Sequence, residues 1–191
     1  MNTTTTNWRG IAVAAGVVAI GAIGITAWSR RRRPPLDTVS ALDLDRYAGT
    51  WFEIARMPTA YERGCAAATA HYTVRDDGTV GVVNRCLRNG KVTSVRGKAW
   101  VPDAEVPGAL RVAFGLVARG DYNVLALEDY RYALVGARDR RQAWLLSRTT
   151  DLPDRVRARF ERELERQGFD PRRLIEVDIP SVSLGDAVYL A

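Results

Sequence analysis

Nucleophilic or acid–base catalysis needs a reactive side chain held beside a base, and metal chemistry needs several ligands at short spacing. The sequence is poor in both. Its one histidine, His71, sits in the alternating stretch Ala70-His71-Tyr72, whose other two residues claim the inner face and leave the imidazole outside. Its two cysteines, Cys65 and Cys86, have no identifiable base partner, and no Cys/His/carboxylate cluster stands at ligand spacing. No catalytic residue, metal or cofactor is therefore expected. The cysteines suit a different chemistry. They fall near opposite ends of one apparent hairpin, where a Cys65–Cys86 disulfide can form in an oxidising compartment; the alternative is two buried thiols acting as small apolar side chains.

Charge narrows the partners. Of the formal +6, the stretch from Met1 to Leu36 supplies +5 through Arg9 and Arg30 to Arg33, with no acid to offset them. The rest of the chain is almost neutral and lacks the basic face that a phosphate backbone rewards, so nucleic acid is not an expected partner. From Ile11 to Trp28 run 18 residues without a charge. As a helix they reach about 27 Å, close to a hydrocarbon core. Trp8 and Trp28 bracket the run and the arginines lie outside them, which is the pattern of a retained transmembrane helix; a cleaved signal peptide has a shorter apolar core and no such basic block after it. Residues 1–33 are thus expected to be a membrane anchor in a bacterial cell envelope. Its orientation stays open. The Arg30 to Arg33 block argues for a cytoplasmic domain, whereas a disulfide would need the periplasmic side.

Beyond Pro34-Pro35 the organisation reads as a linker over 34–41, a domain over 42–178 and a tail over 179–191. Within the domain, short segments of period-two alternation are separated by turn residues. They run Thr50 to Met57, Ala66 to Arg75, Thr79 to Arg85, Val92 to Val101, Ala109 to Phe114, Tyr122 to Glu128, Tyr132 to Ala137 and Gln142 to Thr149. Asp77-Gly78 supplies the positive φ angles of a hairpin between the second and third. After these eight strands the period changes. Leu152, Val156, Phe160 and Leu164 recur every four residues, Asp151 is placed to cap, Pro153 falls in the first turn and Gly168 ends the helix. The alternating acids and bases on its other face read as a solvated surface, and a short strand follows near Leu174 to Val177.

Eight strands and then one helix resemble the lipocalin plan, and three blocks carry the resemblance. Gly49-Thr50-Trp51-Phe52-Glu53-Ile54-Ala55-Arg56 is similar to the family's opening G-x-W strand in the form used by its bacterial and apolipoprotein D branch. The stretch from Tyr122 to Val135 resembles the paired strands of the second motif, with Leu127-Glu128-Asp129 replacing the usual Thr-Asp-Tyr. Trp144-Leu145-Leu146-Ser147-Arg148-Thr149 resembles the closing strand, whose arginine is expected to lie on Trp51. The resemblance implies an all-β fold, an eight-stranded antiparallel up-and-down barrel with the helix packed outside. In it Gly49, Trp51 and Arg148 are scaffold.

Charges set which side chains face inward, since Arg96, Lys98, Arg111 and Arg85 must point out. Ala70, Tyr72, Val80, Val82, Asn84, Val95, Gly97, Ala99, Leu110, Val112 and Phe114 then face the lumen, and Trp144 and Leu146 share a face with Arg148. The family resemblance adds Tyr122 and Val124. The expected ligand site is therefore Ala70, Tyr72, Val82, Asn84, Val112, Phe114, Tyr122, Val124, Trp144 and Leu146. The small residues Ala70, Gly97 and Ala99 leave room, and Asn84 with the Tyr72 and Tyr122 hydroxyls can orient a headgroup. The resemblance implies a carrier of a fatty acid or lysophospholipid at the membrane; the alternative is a filled barrel serving as a membrane-tethered interaction module.

Overall fold

A computed structural model describes residues 33–115, 118–177 and 179. The Ile11–Trp28 run and most of the tail lie outside these residues. Among the described residues no helix is long and apolar enough to cross a membrane.

The alternating segments form a sheet ordered β2-β3-β4-β5-β6-β7-β8-β1-β9, closed on itself because β1 also pairs with β2. The strands are β1 (Gly49–Arg56), β2 (Ala67–Val74), β3 (Val80–Arg88), β4 (Lys91–Trp100), β5 (Ala109–Phe114), β6 (Ala118–Glu128), β7 (Tyr132–Gly136), β8 (Ala143–Ser147) and the short β9 (Ile175–Glu176). Every pairing is antiparallel. Two turns refine the sequence expectation. At the β2–β3 hairpin only Gly78 takes a positive φ, of 76°, while Asp77 spends its carboxylate on the Thr79 amide and hydroxyl. The two-residue turn with both angles positive is Asn89-Gly90, at 50° and 73°, between β3 and β4.

The helix α2 spans Asp154–Arg166 and buries Val156, Phe160 and Leu164 against the outside of the barrel, on Phe52, Leu125, Leu134 and Leu145. Its start differs from the expected one. Pro153 occupies the cap position, no side chain caps the helix, and the Asp151 carbonyl instead accepts from the Ser147 hydroxyl. The exposed face is laced by ion pairs such as Arg157–Glu161 and Arg166–Glu163, and both Arg155 and Arg159 bind Glu128. Gly168, with φ of 82°, reverses the chain so that Phe169 packs at the barrel wall. The stretch expected to be linker lies along the barrel: Val39 donates to the Val124 carbonyl at 2.9 Å and Asp37 to Gln167 at 2.9 Å.

The Trp51 end of the barrel is covered by a second helix that the strand pattern does not announce, α1 (Leu44–Tyr47), capped by Asp43. Trp51 is fully buried and donates its indole N–H to the Tyr47 carbonyl at 2.8 Å. The Arg148 guanidinium lies 3.9 Å from the Trp51 ring centroid and donates to the carbonyls of Arg46, Tyr47, Thr50 and Tyr130. That cation–π contact contributes about 1 to 2 kcal/mol, and the Tyr47 carbonyl accepts from both the guanidinium and the indole. The altered β6–β7 turn is accommodated here: Asp129 and Tyr130 both adopt positive φ, and the Tyr130 hydroxyl receives the Asp43 amide at 2.9 Å.

Arg148→Ala is expected to cost about 2 to 4 kcal/mol of stability by urea unfolding, and Trp51→Ala about 3 to 5 kcal/mol. Ligand affinity, measured well below the unfolding midpoint, should change little in either. Normal unfolding with lost affinity would move these residues out of the scaffold.

Candidate ligand-binding site

Register brings the expected lining residues to one inner surface. Tyr72 stands opposite Val82, Val82 opposite Gly97 and Gly97 opposite Phe114. Ala70 faces Asn84, which faces Val95; Leu110 faces Tyr122; and Val124, Val135 and Trp144 form one rung. Tyr72, Val82, Val124 and Leu146 are buried in a single apolar cluster, against which Ala70, Val112, Phe114, Tyr122 and Trp144 pack while half-buried. Val95, on the same inner surface, is 48% exposed. In a closed barrel, inner-face side chains that keep accessible surface line a space that solvent reaches.

Two details correct the sequence reading. A Cβ on Gly97 would stand 2.6 Å from the Phe114 ring and 2.5 Å from the Ala113 carbonyl oxygen, so the missing side chain makes room for Phe114 and not for a ligand. The tyrosine hydroxyls are engaged with one another: Tyr72 donates to Tyr122 at 3.0 Å, and the Tyr47 and Tyr122 hydroxyls lie 2.7 Å apart. Burial pushes the Tyr72 phenol up to about 12 and holds Tyr47 and Tyr122 well above their usual range, so all three stay neutral. They form a floor above Trp51. Asn84 is different, for its side-chain Oδ1 is buried with no hydrogen-bond partner.

At the other end of β1, where Arg56 closes the strand, the structure assembles a group to which the sequence reading assigned no role. Glu53 and Arg56 are both buried, and the Arg56 guanidinium donates to Glu53 at 2.6 Å and to the Cys65 carbonyl at 3.0 Å. A regular strand would send residues three apart to opposite faces; a register shift between Glu53 and Ala55 turns both inward. Glu62, from the loop joining β1 to β2, places a carboxylate oxygen 3.8 Å from Arg56 Nε and receives the Trp144 indole N–H at 3.2 Å. Arg56 Nε itself makes no hydrogen bond. The same loop is tied by Arg88, which donates to the Tyr61 carbonyl, and by the Cys65–Cys86 disulfide, whose Cα atoms are 5.6 Å apart. His71 lies on the outer face, bonded to the Thr50 hydroxyl. Among the described residues no group of three or more His, Cys, Asp or Glu could hold a metal ion.

One guanidinium serves two carboxylates here. Burial, then the Glu62 charge, pushes Glu53 up to about 8, against the lowering pull of Arg56. A carboxyl raised in the folded state binds its proton more tightly there than in the unfolded chain. Its contribution to stability is therefore fully present below pH 4.5 and is lost as pH rises to about 8. Urea unfolding across that window should show stability falling by about 1 to 3 kcal/mol, and Glu53→Gln should flatten the fall. A slope equal in both proteins would assign the decline to other groups.

Comparison with known proteins gives the fold and the barrel a lineage. The lipocalin-like domain family matches residues 42–178. The outer membrane lipoprotein Blc of Escherichia coli K12 is 40% identical over 152 residues, covering 77% of this chain and 86% of Blc. Apolipoprotein D of Bos taurus is 35% identical over 95 residues, covering 49% of this chain and 50% of that protein. Among solved structures, insecticyanin from the tobacco hornworm Manduca sexta superposes with a TM-score of 0.65 at 26% identity, over 78% of this chain and 87% of its own. An eight-stranded barrel closed by a G-x-W tryptophan under an arginine, an outer helix and a family match across the whole domain agree: the chain belongs to the lipocalin family.

Proposed function

We propose that the protein stores or transfers a single-chain lipid, a fatty acid or lysophospholipid, in the barrel lumen, and that it carries out no reaction. The observation that carries this reading is the inner wall itself. Ala70, Val112, Phe114, Tyr122 and Trp144 are apolar or aromatic, face inward and remain only half-buried. Covering such a wall with an acyl chain gives about 0.8 kcal/mol per methylene, enough for micromolar binding. The lining then comprises these residues with Tyr72, Val82, Asn84, Val124 and Leu146. The packing of Phe114 over Gly97 favours the second reading, a filled barrel used as a membrane-tethered interaction module. Native mass spectrometry of the full-length protein with identification of co-purified lipid separates them, since a filled barrel carries none.

Trp144 should report the ligand. The emission difference between the protein and Trp144→Phe is expected to shift on titration, and Trp144→Ala should weaken binding by about 1 to 3 kcal/mol. Calorimetric binding without any change in Trp144 emission would place the ligand elsewhere.

The attachment reading is that residues 1–33 hold the protein at a bacterial envelope membrane with residues 34–41 leading into the domain at 42–178. Blc is by name an outer membrane lipoprotein. In this chain the first cysteine is Cys65, which is engaged in the disulfide, so the apolar run Ile11–Trp28 would supply the attachment. A disulfide favours the oxidising, periplasmic side over the cytoplasmic one argued by Arg30 to Arg33. The intact mass of protein extracted from membranes should retain the run; a mature form beginning after Trp28 would show a cleaved signal instead.

A further inference from the structure

We propose that Arg56 is the anchor for an anionic headgroup and that Glu62 of the β1–β2 loop is an internal stand-in for that headgroup, displaced when the ligand binds. The inference rests on the lipid-carrier reading and names the chemistry at the head of the chain, a carboxylate or phosphate.

Three observations carry it. Arg56 faces inward at the end of β1 beside Trp144, is 5% exposed, and keeps a buried Nε donor with no hydrogen-bond partner. Buried guanidinium donors are rarely left unmade, because an unsatisfied charged group forfeits its hydration without return. The edge carrying this donor is where Glu62 approaches, at 3.8 Å, close enough for attraction and too far for a hydrogen bond. The two carboxylates are also unequal. Glu53 is built into a strand paired on both sides and bonds Arg56 at 2.6 Å. Glu62 sits on a loop outside the strands, with Thr59 and the Trp144 indole as its side-chain partners.

Two carboxyl groups thus crowd one guanidinium, and the crowding is reflected in the raised Glu53, which keeps its proton near neutrality. An incoming carboxylate that takes the place of Glu62 against Arg56 Nε and Trp144 Nε1 keeps the buried charge count constant, while Glu62 regains water. An anion added without that exchange would set a second negative charge beside Glu62 against one buried cation. The acyl chain then runs inward from Arg56 over Trp144 toward the tyrosine floor. The exchange couples headgroup capture to release of the loop, because Glu62 is one of its ties.

Calorimetric titration of the full-length protein with dodecanoate, dodecyl phosphate, dodecanol and dodecylammonium tests this. Each pairs the same chain with a different head. The unmodified protein should bind both anions more tightly than dodecanol, and Glu62→Gln, which removes the internal competitor, should raise the anion-to-alcohol affinity ratio about three- to tenfold. A preference for dodecanoate over dodecyl phosphate marks a carboxylate source, and the reverse a phosphate source. A ratio that stays flat or falls in Glu62→Gln overturns the stand-in role. Tightest binding of dodecylammonium, weakened by Glu62→Gln, overturns it in favour of a cationic head. If dodecanol binds without any anion preference, the anchor fails and the carrier reading survives; if none of the four binds, both fail. Arg56→Gln should abolish the anion preference while dodecanol binding remains measurable. Should that variant not fold, Glu62→Gln decides alone.

Discussion

A sheet that closes on itself has no free edge, but only if its first and last strands meet in register, and here that meeting depends on one guanidinium. Arg148, just beyond β8, donates to carbonyls in α1, in β1 and in the β6–β7 turn while covering the Trp51 indole. Three segments are tied to the end of β8 by four hydrogen bonds from a group that stays charged near neutrality. Trp51 itself is fully buried and contributes both apolar area and an N–H to the same knot. With the Trp51 end fastened, the register of β1 against β8 and β2 follows, and with it which side chains face inward.

The two ends of the barrel use their charges differently. At the Trp51 end the cation bonds backbone carbonyls, which cannot leave without unfolding, and the tyrosine hydroxyls above them are closed into a chain of their own. At the Arg56 end the cation bonds the Cys65 carbonyl and also meets two side-chain carboxylates, one fixed in a strand and one on a loop. Backbone acceptors make a permanent closure; a carboxylate on a loop can be exchanged for another. A lipid carrier needs that asymmetry, since its ligand must enter at one end and be stopped at the other.

The outer helix completes the arrangement without taking part in binding. Val156, Phe160 and Leu164 cover the outward face of β1, β6, β7 and β8, the strands that carry Trp144, Val124 and Glu53 on their inner side. Among the described residues no helix covers the β3–β4 half of the barrel, where Val92 is exposed and the inward-facing Val95 also keeps accessible surface.

Much of this was legible in the amino-acid order. Period-two alternation marks all eight barrel strands, since a residue's face in a regular strand depends on its parity alone; the four-residue recurrence from Leu152 to Leu164 marks the helix for the matching reason. Charges then set the phase, and the inward positions of Tyr72, Val82, Phe114 and Trp144 follow. The outcome differs wherever parity breaks or two distant atoms compete for one space. The shift between Glu53 and Ala55 turns Arg56 inward, and no local pattern in Glu-Ile-Ala-Arg announces it. Whether Gly97 leaves a void depends on the Phe114 ring across the β4–β5 pair, and whether Tyr72 is free for a ligand depends on Tyr122, 50 residues away. Local periodicity could determine strands, helix and facing because these are one-dimensional properties; the charge cluster at the mouth and the filling of the lumen were decided only in three dimensions, where register and contact are set.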